Sequence, residues 1–477
     1  MKLGVKEKIS YGLGAVGKDM VYMLSASYVL YYFQDVLGVS AIAMGIILMV
    51  ARVFDAFNDP IMGIIVAKTK TRWGKFRPWL LIGTITNAVI LFLMFATPPT
   101  MNSKGLVAYA AVTYILWGVT YTMMDIPYWS MIPAFTRSGK ERETLTTLAR
   151  SCAGVGSALV TIFTVMIVGF IGKIFAGKNA SSKEIDINGF KWFALIIAVL
   201  FVIFIVITCI NIKEKATVNM ESPSVLQMFK ALFSNDQAMV IVISIVLINC
   251  SVYITSNLVI YFFKYDFGGT GWRNSYTLFN MFGGAIQILS MMIVYPLLRK
   301  FHSNVRIFYI CLTSAIIGYG TLLLITFTSM KNVFILFIPA FFIFAANGVL
   351  QVLTTVFLAN TVDYGDIKNG RRDESVIFSM QTFVVKLASG IAALVASICL
   401  SVNNLKDETA STQGEAYDFA KNVATSSKLG LRMTMTIIPI IGLVIAIIIF
   451  KKKFILTEKK MKEITLEIIE RNKEMDA

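Results

Sequence analysis

The sequence predicts an all-α membrane protein with about twelve spanning helices in two pseudo-symmetric bundles of six. Three observations carry this. Of the 477 residues, 56% are hydrophobic and only 15% are charged, and the mean hydropathy is +0.71; a soluble domain carries about 25% charged residues. Apolar runs long enough to cross a bilayer recur along the whole chain. Motifs of the first half return in the second at a nearly constant offset. Helices are the default spanning element because hydrocarbon offers backbone groups no partner. The short alternating segments of a membrane barrel are absent from the sequence.

The apolar runs predict spans at 8–36, 41–67, 78–98, 105–135, 144–172 and 190–211, then 237–267, 274–297, 307–328, 332–365, 374–402 and 429–450. The polar stretch 212–236 reads as a central cytoplasmic linker. The organisation is therefore 1–211 as the first bundle, 237–450 as the second, and 451–477 as a tail. The first run lacks a small-residue cleavage site, so it is expected to be retained.

The net charge of +16 does not mark a nucleic-acid binder, because the basic residues sit in short connections between apolar runs. Lys68, Lys70, Arg72, Lys75 and Arg77 follow the second run with no acid among them. That connection is expected in the cytoplasm, and both termini with it. Arg299, Lys300, Arg306 and the Lys451-Lys452-Lys453 run agree. Connections 173–189 and 403–428 mix acids and bases and suit the outside. Beyond Phe454 the tail reads as an amphipathic surface helix, a solvated end without specific function. Cys152, Cys209, Cys250, Cys311 and Cys399 fall in apolar runs without paired spacing, which argues against disulfides and metal clusters. One histidine, His302, is too few for a histidine metal site.

The repeat is legible in three places. Tyr31-Tyr32-Phe33 matches Tyr261-Phe262-Phe263 at an offset of 230 residues. The basic loop ending at Lys75 matches one ending at Arg306, and the segment 138–144 matches 369–375, both at 231. Two six-helix repeats are the plan of major-facilitator transporters, whose substrate site is expected near the bilayer midplane at the repeat interface.

Ionisable residues inside spans cost about 2.5–3.5 kcal/mol each on insertion scales and are functional candidates. Asp55, Asn58 and Asp59 stand at i, i+3, i+4 and share one helical face. Two carboxylates and an amide carbonyl offer hard oxygen ligands for a small cation such as Na+. Without the cation the carboxylates repel, so a proton can take its place. The competing reading pairs Asp55 with Arg52; an ion site is favoured, because one arginine cannot neutralise two acids. Thr122, one turn before Asp125, can add a hydroxyl. Asp125 and Trp129 share a face, where a carboxylate takes sugar hydroxyls and an indole takes the apolar ring face; interfacial packing is the plainer role for the tryptophan. Lys18 and Asp19 are neighbours expected to point to different partners, Asp19 to substrate and Lys18 either inward or snorkelling outward. Arg150 and Lys386 are isolated bases in apolar runs, expected to pair with a cavity acid or donate to a sugar; Gln381 and Thr382 can line the cavity beside Lys386. Arg142, Asp363, Asp366, Arg371, Arg372 and Glu374 are expected to act as cytoplasmic gate charges. No GxxxxGK[ST] phosphate loop and no nucleophile–base pair appears, so neither an ATP-driven pump nor an enzyme is expected, and no cofactor beyond the coupling ion.

Several blocks carry a resemblance: 11–19 (Tyr11 to Asp19), 55–60 (Asp55 to Pro60), 72–79 (Arg72 to Trp79), 125–130 (Asp125 to Ser130), 361–365 (Thr361 to Gly365) and 381–386 (Gln381 to Lys386). With these the chain resembles the glycoside–pentoside–hexuronide:cation symporters of the major facilitator superfamily. The resemblance implies symport of a galactoside such as melibiose with Na+, Li+ or H+, by a protein working as a monomer. It implies a cation site at Asp55, Asn58, Asp59 and Thr122. It implies sugar binding by Lys18, Asp19, Tyr121, Asp125, Trp129, Arg150, Gln381, Thr382 and Lys386. One departure stands out: Gln351 occupies the place of a cavity tryptophan, with Thr354 and Thr355 following. A xyloside, a β-galactoside or a glucuronide is therefore an alternative substrate. From other classes, a membrane sugar sensor that transports nothing and a cation channel are the rival expectations.

Overall fold

The computed structural model describes residues 4–132, 139–177, 180–214, 225–328, 332–369, 374–405 and 417–476. It is all-helical among these residues. In chain order the helices are α1 (Val5–Leu30), α2 (Ala41–Lys68), α3 (Arg77–Phe95), α4 (Ser103–Ser130), α5 (Gly139–Ala176), α6 (Ser182–Asn211) and the short α7 (Val225–Ser234). Then follow α8 (Asp236–Phe262), α9 (Trp272–Leu289), α10 (Tyr295–Phe301), α11 (Asn304–Thr326), α12 (Phe337–Asn369), α13 (Glu374–Val402), α14 (Thr425–Lys453) and α15 (Glu458–Asp476). A π-turn, Ser290–Val294, joins α9 to α10 in one continuous span.

Among the described residues eleven spans are long and apolar enough to cross a membrane. The remaining expected span, α1, is 26 residues long, but Lys18 and Asp19 at its middle dilute its hydropathy. Each predicted span overlies a helix; the largest boundary difference is at α6, which begins at Ser182 rather than 190. The Ser181 hydroxyl accepts from the Glu184 N–H while the Glu184 carboxylate accepts from the Ser181 N–H, a capping box. That cap lets a polar first turn containing Lys183, Glu184 and Asp186 be helical where hydropathy alone reads a loop.

The repeat has a structural counterpart. α1 ends in the π-turn Tyr31–Val36 and α8 in the π-turn Phe263–Phe267. Each is followed by a glycine in the left-handed region, Gly38 at φ +77° and Gly268 at φ +69°. Such turns leave the helix under-wound at a shared position in both halves.

Contacts divide the chain into two units. The first comprises Met1–Ser222, Gly268–Thr277 and Leu400–Val423; the second comprises Pro223–Phe267, Leu278–Cys399 and Ala424–Ala477. In the first, α1 packs against α5 and α6, α3 against α4 and α6, and α2 against α4. In the second, α8 packs on α14 and α12, and α11 on α12 and α14. On α2, Ile42, Ile46, Val50, Phe57, Ile61 and Ile64 follow helical spacing and are exposed, while Arg52, Asp55, Met62 and Val66 are buried. That apolar outer stripe is what lipid requires of a spanning helix. Small residues bring helices close: a Cβ on Gly83 of α3 would stand 2.8 Å from the Met124 backbone nitrogen of α4.

The tail is docked rather than solvated. α15 packs on α12, Ile464 is buried, and Glu458 pairs with Arg299 at 2.7 Å. Between α15, α12 and the start of α11 lies a cavity of about 590 Å³ to which Asn360, Asp363 and Lys462 contribute.

The connection 69–76 is held from a distance. The Glu214 carboxylate accepts from the N–H groups of Lys75 at 2.7 Å, Phe76 at 3.0 Å and Arg77 at 3.2 Å. These are orphan donors at the start of α3, where a negative charge also meets the helix dipole. Glu214→Ala is expected to cost about 1–2 kcal/mol, with Glu214→Gln costing less because one acceptor oxygen remains. Thermal unfolding of the purified protein checks this; equal midpoints for wild type and Glu214→Ala would refute it.

Candidate functional site

The first unit gathers most of the predicted residues onto the facing sides of α1, α2, α4 and α5. Lys18 of α1 is the hub. Its ammonium lies 2.7 Å from Asp125 Oδ1 and 3.2 Å from Asp19 Oδ1, and it donates to the Tyr121 hydroxyl at 3.1 Å. It also sits over the Trp129 ring, 5.1 Å from the centroid. The side chain of Lys18 is 4% exposed, against 18% for Asp19 and 28% for Asp125. One of two alternatives for Lys18 is thereby selected, and one expectation is corrected. Lys18 does not snorkel outward, because two carboxylates hold it inside. Lys18 and Asp19 do not part company either: a long lysine stem bends back to reach its neighbour although their Cα–Cβ bonds diverge.

On α4 the Trp129 indole N–H donates to Asp125 Oδ1 at 3.1 Å, one turn back. The ring orientation is thus set by the same carboxylate that holds Lys18. Arg150 of α5 stacks its guanidinium 4.0 Å from the centroid of Trp129. It was expected to meet an acid or a sugar; here it meets an aromatic face, which a planar, weakly hydrated cation suits. The α1–α4 contact is pinned by Tyr11 and Tyr128, whose rings stack at 4.4 Å. The Tyr128 hydroxyl donates to the Tyr11 carbonyl at 2.5 Å, and the Tyr11 hydroxyl donates to the Tyr128 carbonyl.

A second cluster joins α2 to α4. Arg52 Nη1 donates to Asp55 Oδ2 at 3.4 Å, and both side chains are buried. The arginine also lies between Tyr22 and Tyr114, 5.7 and 5.8 Å from their centroids. So the Arg52–Asp55 pair, the reading set aside on sequence grounds, is present. The second acid has a different partner: Thr122 Oγ1 donates to Asp59 Oδ1 at 3.0 Å. Asn58 Nδ2 is buried without a hydrogen-bond partner. Gly118 lets α4 approach, since a Cβ there would stand 2.7 Å from Asp55 Oδ1. Among the described residues no three His, Cys, Asp or Glu side chains come together as a metal centre would need. The α2–α4 set is two carboxylates, an amide and a hydroxyl, all oxygen donors of the kind a hard monovalent ion takes.

The remaining residues lie in the second unit. Gln381, Thr382 and Lys386 are on α13, with Thr382 exposed and the other two half-buried. Gln351 on α12 is exposed; Thr354 and Thr355 donate to carbonyls of their own helix. Asp363 is half-buried beside α15, and Asp366 is buried. Arg371 and Arg372 lie outside the described residues, as do the side chains of Arg142 and Glu374. The sequence reading did not find Glu214, Asp186 or Arg273. All three form pairings between residues far apart in the chain, and the polar surroundings of Asp186 make it look like a loop residue.

A family model described as MFS/sugar transport protein matches residues 10–454. The chain is 27% identical to the lactose permease of Lactobacillus delbrueckii subsp. bulgaricus, over 97% of this chain and 72% of that protein. It is 28% identical to the raffinose carrier protein of Pediococcus pentosaceus, over 97% of this chain and 71% of that one. It is 30% identical to the isoprimeverose transporter of Lactiplantibacillus pentosus, over 83% and 80%. Among solved structures, a point mutant of the nucleoside transporter NupG superposes with a TM-score of 0.63 at 13% identity, over 93% of this chain and all of that one. That likeness establishes the major facilitator fold. The chain belongs to the MFS/sugar transport protein family and is a multi-pass membrane transporter rather than an enzyme.

Proposed function

We propose that this transporter couples the uptake of a neutral glycoside, a galactoside such as melibiose first among them, to the entry of Na+, with Li+ or H+ able to substitute. The observation that carries the reading is Lys18 bridging Asp19 and Asp125 beside Trp129. A fixed lysine between two acids offers both donors and acceptors to hydroxyls, and the neighbouring indole offers an apolar face. Both contacts to Asp125 fall on Oδ1, which leaves Oδ2 for a substrate hydroxyl. Two acids (Asp19, Asp125) balance two bases (Lys18, Arg150) in this cluster, which favours a neutral ligand over a hexuronide. Gln381, Thr382 and Lys386 are the proposed sugar-binding residues of the second unit.

The cation is assigned to Asp55, Asn58, Asp59 and Thr122. Thr122 and Asp125 are one turn apart on α4, so an ion that orders Asp59 and Thr122 also steadies the turn that holds Asp125. This is a physical route for coupling, and each ligand must then raise the other's affinity by the same factor. Both termini are assigned to the cytoplasm, the protein is taken to act as a monomer, and Arg142, Asp363 and Arg372 are proposed gate charges. The named sugars of the relatives differ, and Gln351 stands where an aromatic wall is expected, so a xyloside or another galactoside, coupled to H+ or Na+, is the second reading.

The test is uptake of labelled melibiose into inside-negative vesicles, with and without Na+, in competition with lactose, raffinose and isoprimeverose. Cation-stimulated uptake that one of these suppresses most strongly identifies the sugar. Binding of these sugars without uptake of any would overturn symport in favour of a sensor.

A further inference from the structure

Packed aromatic rings link the Lys18 cluster to the Arg52–Asp55 pair, and one of them, Tyr22, has no role in either proposed site. Tyr22 follows Lys18 by one turn of α1. Its ring centroid lies 5.5 Å from that of Tyr121 and 6.2 Å from that of Trp117. The Arg52 guanidinium of α2 lies 5.7 Å from the same centroid. On α4, Tyr114, Trp117 and Tyr121 are spaced i, i+3, i+7 and stack along one face, with successive centroids 5.7 and 5.3 Å apart. At one end of this series Arg52 meets Tyr114 at 5.8 Å and donates to Asp55. At the other end the Tyr121 hydroxyl accepts from Lys18. Every one of these residues belongs to the first unit.

Arg52 is thus shared between a carboxylate and two ring faces. A cation held by Asp55 and Asp59 competes with the guanidinium for Asp55, since both are positive charges on one carboxylate. Arg52 then leans further on Tyr22 and Tyr114, whose π faces hold a desolvated cation more strongly than an exposed one. Close-packed rings pass a displacement on rather than absorb it. We propose that Tyr22 is a positioning residue that couples cation occupancy to the sugar cluster. It takes up the shift of Arg52 and sets the ring of Tyr121, and with it the place of Lys18 between Asp19 and Asp125. A sugar held at Lys18 acts back on Arg52 by the same contacts, as reciprocity requires. This role rests on the cation and sugar assignments above. It adds to them a route through α1, distinct from the α4 turn that joins Thr122 to Asp125.

Isothermal titration of the purified full-length protein decides it. Melibiose, lactose, raffinose and isoprimeverose are titrated with and without Na+. The coupling factor is the ratio of the two dissociation constants for the tightest binder. A wild-type factor of about tenfold is expected. Tyr22→Leu is expected to lower that factor about fivefold, whatever it does to the affinity without Na+. Tyr22→Phe keeps the ring and should keep the wild-type factor. Circular dichroism and gel filtration identify a variant that fails to fold, and Tyr22→Met then replaces Tyr22→Leu. A role in folding alone would change both dissociation constants together and leave their ratio unmoved. An unmoved ratio in the folded Leu or Met variant, or a fall in Tyr22→Phe as large as in that variant, overturns the role of Tyr22 and leaves the two sites standing. A wild-type ratio of one with Na+, with Li+ and on lowering the pH, or no binding of any of the four sugars, removes the site assignments themselves and the Tyr22 route with them.

Discussion

Lys18→Ala will weaken glycoside binding more than any other single change in the α1–α4 cluster. The Lys18 ammonium is within ion-pair distance of both Asp19 and Asp125. Removing it leaves two carboxylates facing each other in a poorly hydrated site. Taking one partner from a buried ion pair costs about 3–5 kcal/mol. Asp125 is more than a quarter exposed, so water recovers part of that, and about 2–4 kcal/mol is the fair expectation. In binding, this is roughly 30- to 1,000-fold. Isothermal titration of the purified protein with the transported sugar measures it. A second variant separates charge balance from sugar contact. Lys18→Ala with Asp19→Asn restores neutrality, so folding should recover while sugar affinity stays low. Recovery of affinity in that double variant would reduce Lys18 to a charge balancer and remove it from the sugar site.

Asp59→Cys will abolish cation stimulation while leaving the protein folded. Its carboxylate accepts from a neutral hydroxyl, that of Thr122. Asp55 is the poorer probe, because its removal leaves Arg52 charged and buried. Uptake in the Asp59→Cys variant should lose its Na+ dependence, and so should sugar binding, because the coupling between the two sites is lost. Flux and binding measured side by side check this. Retention of Na+ stimulation in both would remove Asp59 from the cation site and leave Asp55 with Asn58 as its remaining core.

The spans were legible from the sequence because hydrocarbon imposes a length and a composition on any helix that crosses it. The shared faces were legible as well. Asp55, Asn58 and Asp59 on α2, and Thr122, Asp125 and Trp129 on α4, are fixed by the period of a helix whatever surrounds it. The repeat showed itself through Tyr31-Tyr32-Phe33 and Tyr261-Phe262-Phe263, at or beside the two π-turns. What the sequence determined by itself, then, was each spanning helix, its own faces and the residues too polar to face lipid.

Only the tertiary structure decided who meets whom. Lys18 turns to Asp125 on another helix, Arg150 to the face of Trp129, Asp186 to Arg273, and Glu214 to the backbone at the start of α3. In a soluble protein the apolar stripe of a helix announces the side that packs. In a membrane both the lipid-facing and the packed sides are apolar, so hydropathy carries little information about which way a helix is turned. The rotation of each helix, and with it every long-range ion pair, is set by close approaches such as those at Gly83 and Gly118. Those depend on the shapes of two helices at once, which no single run of residues contains.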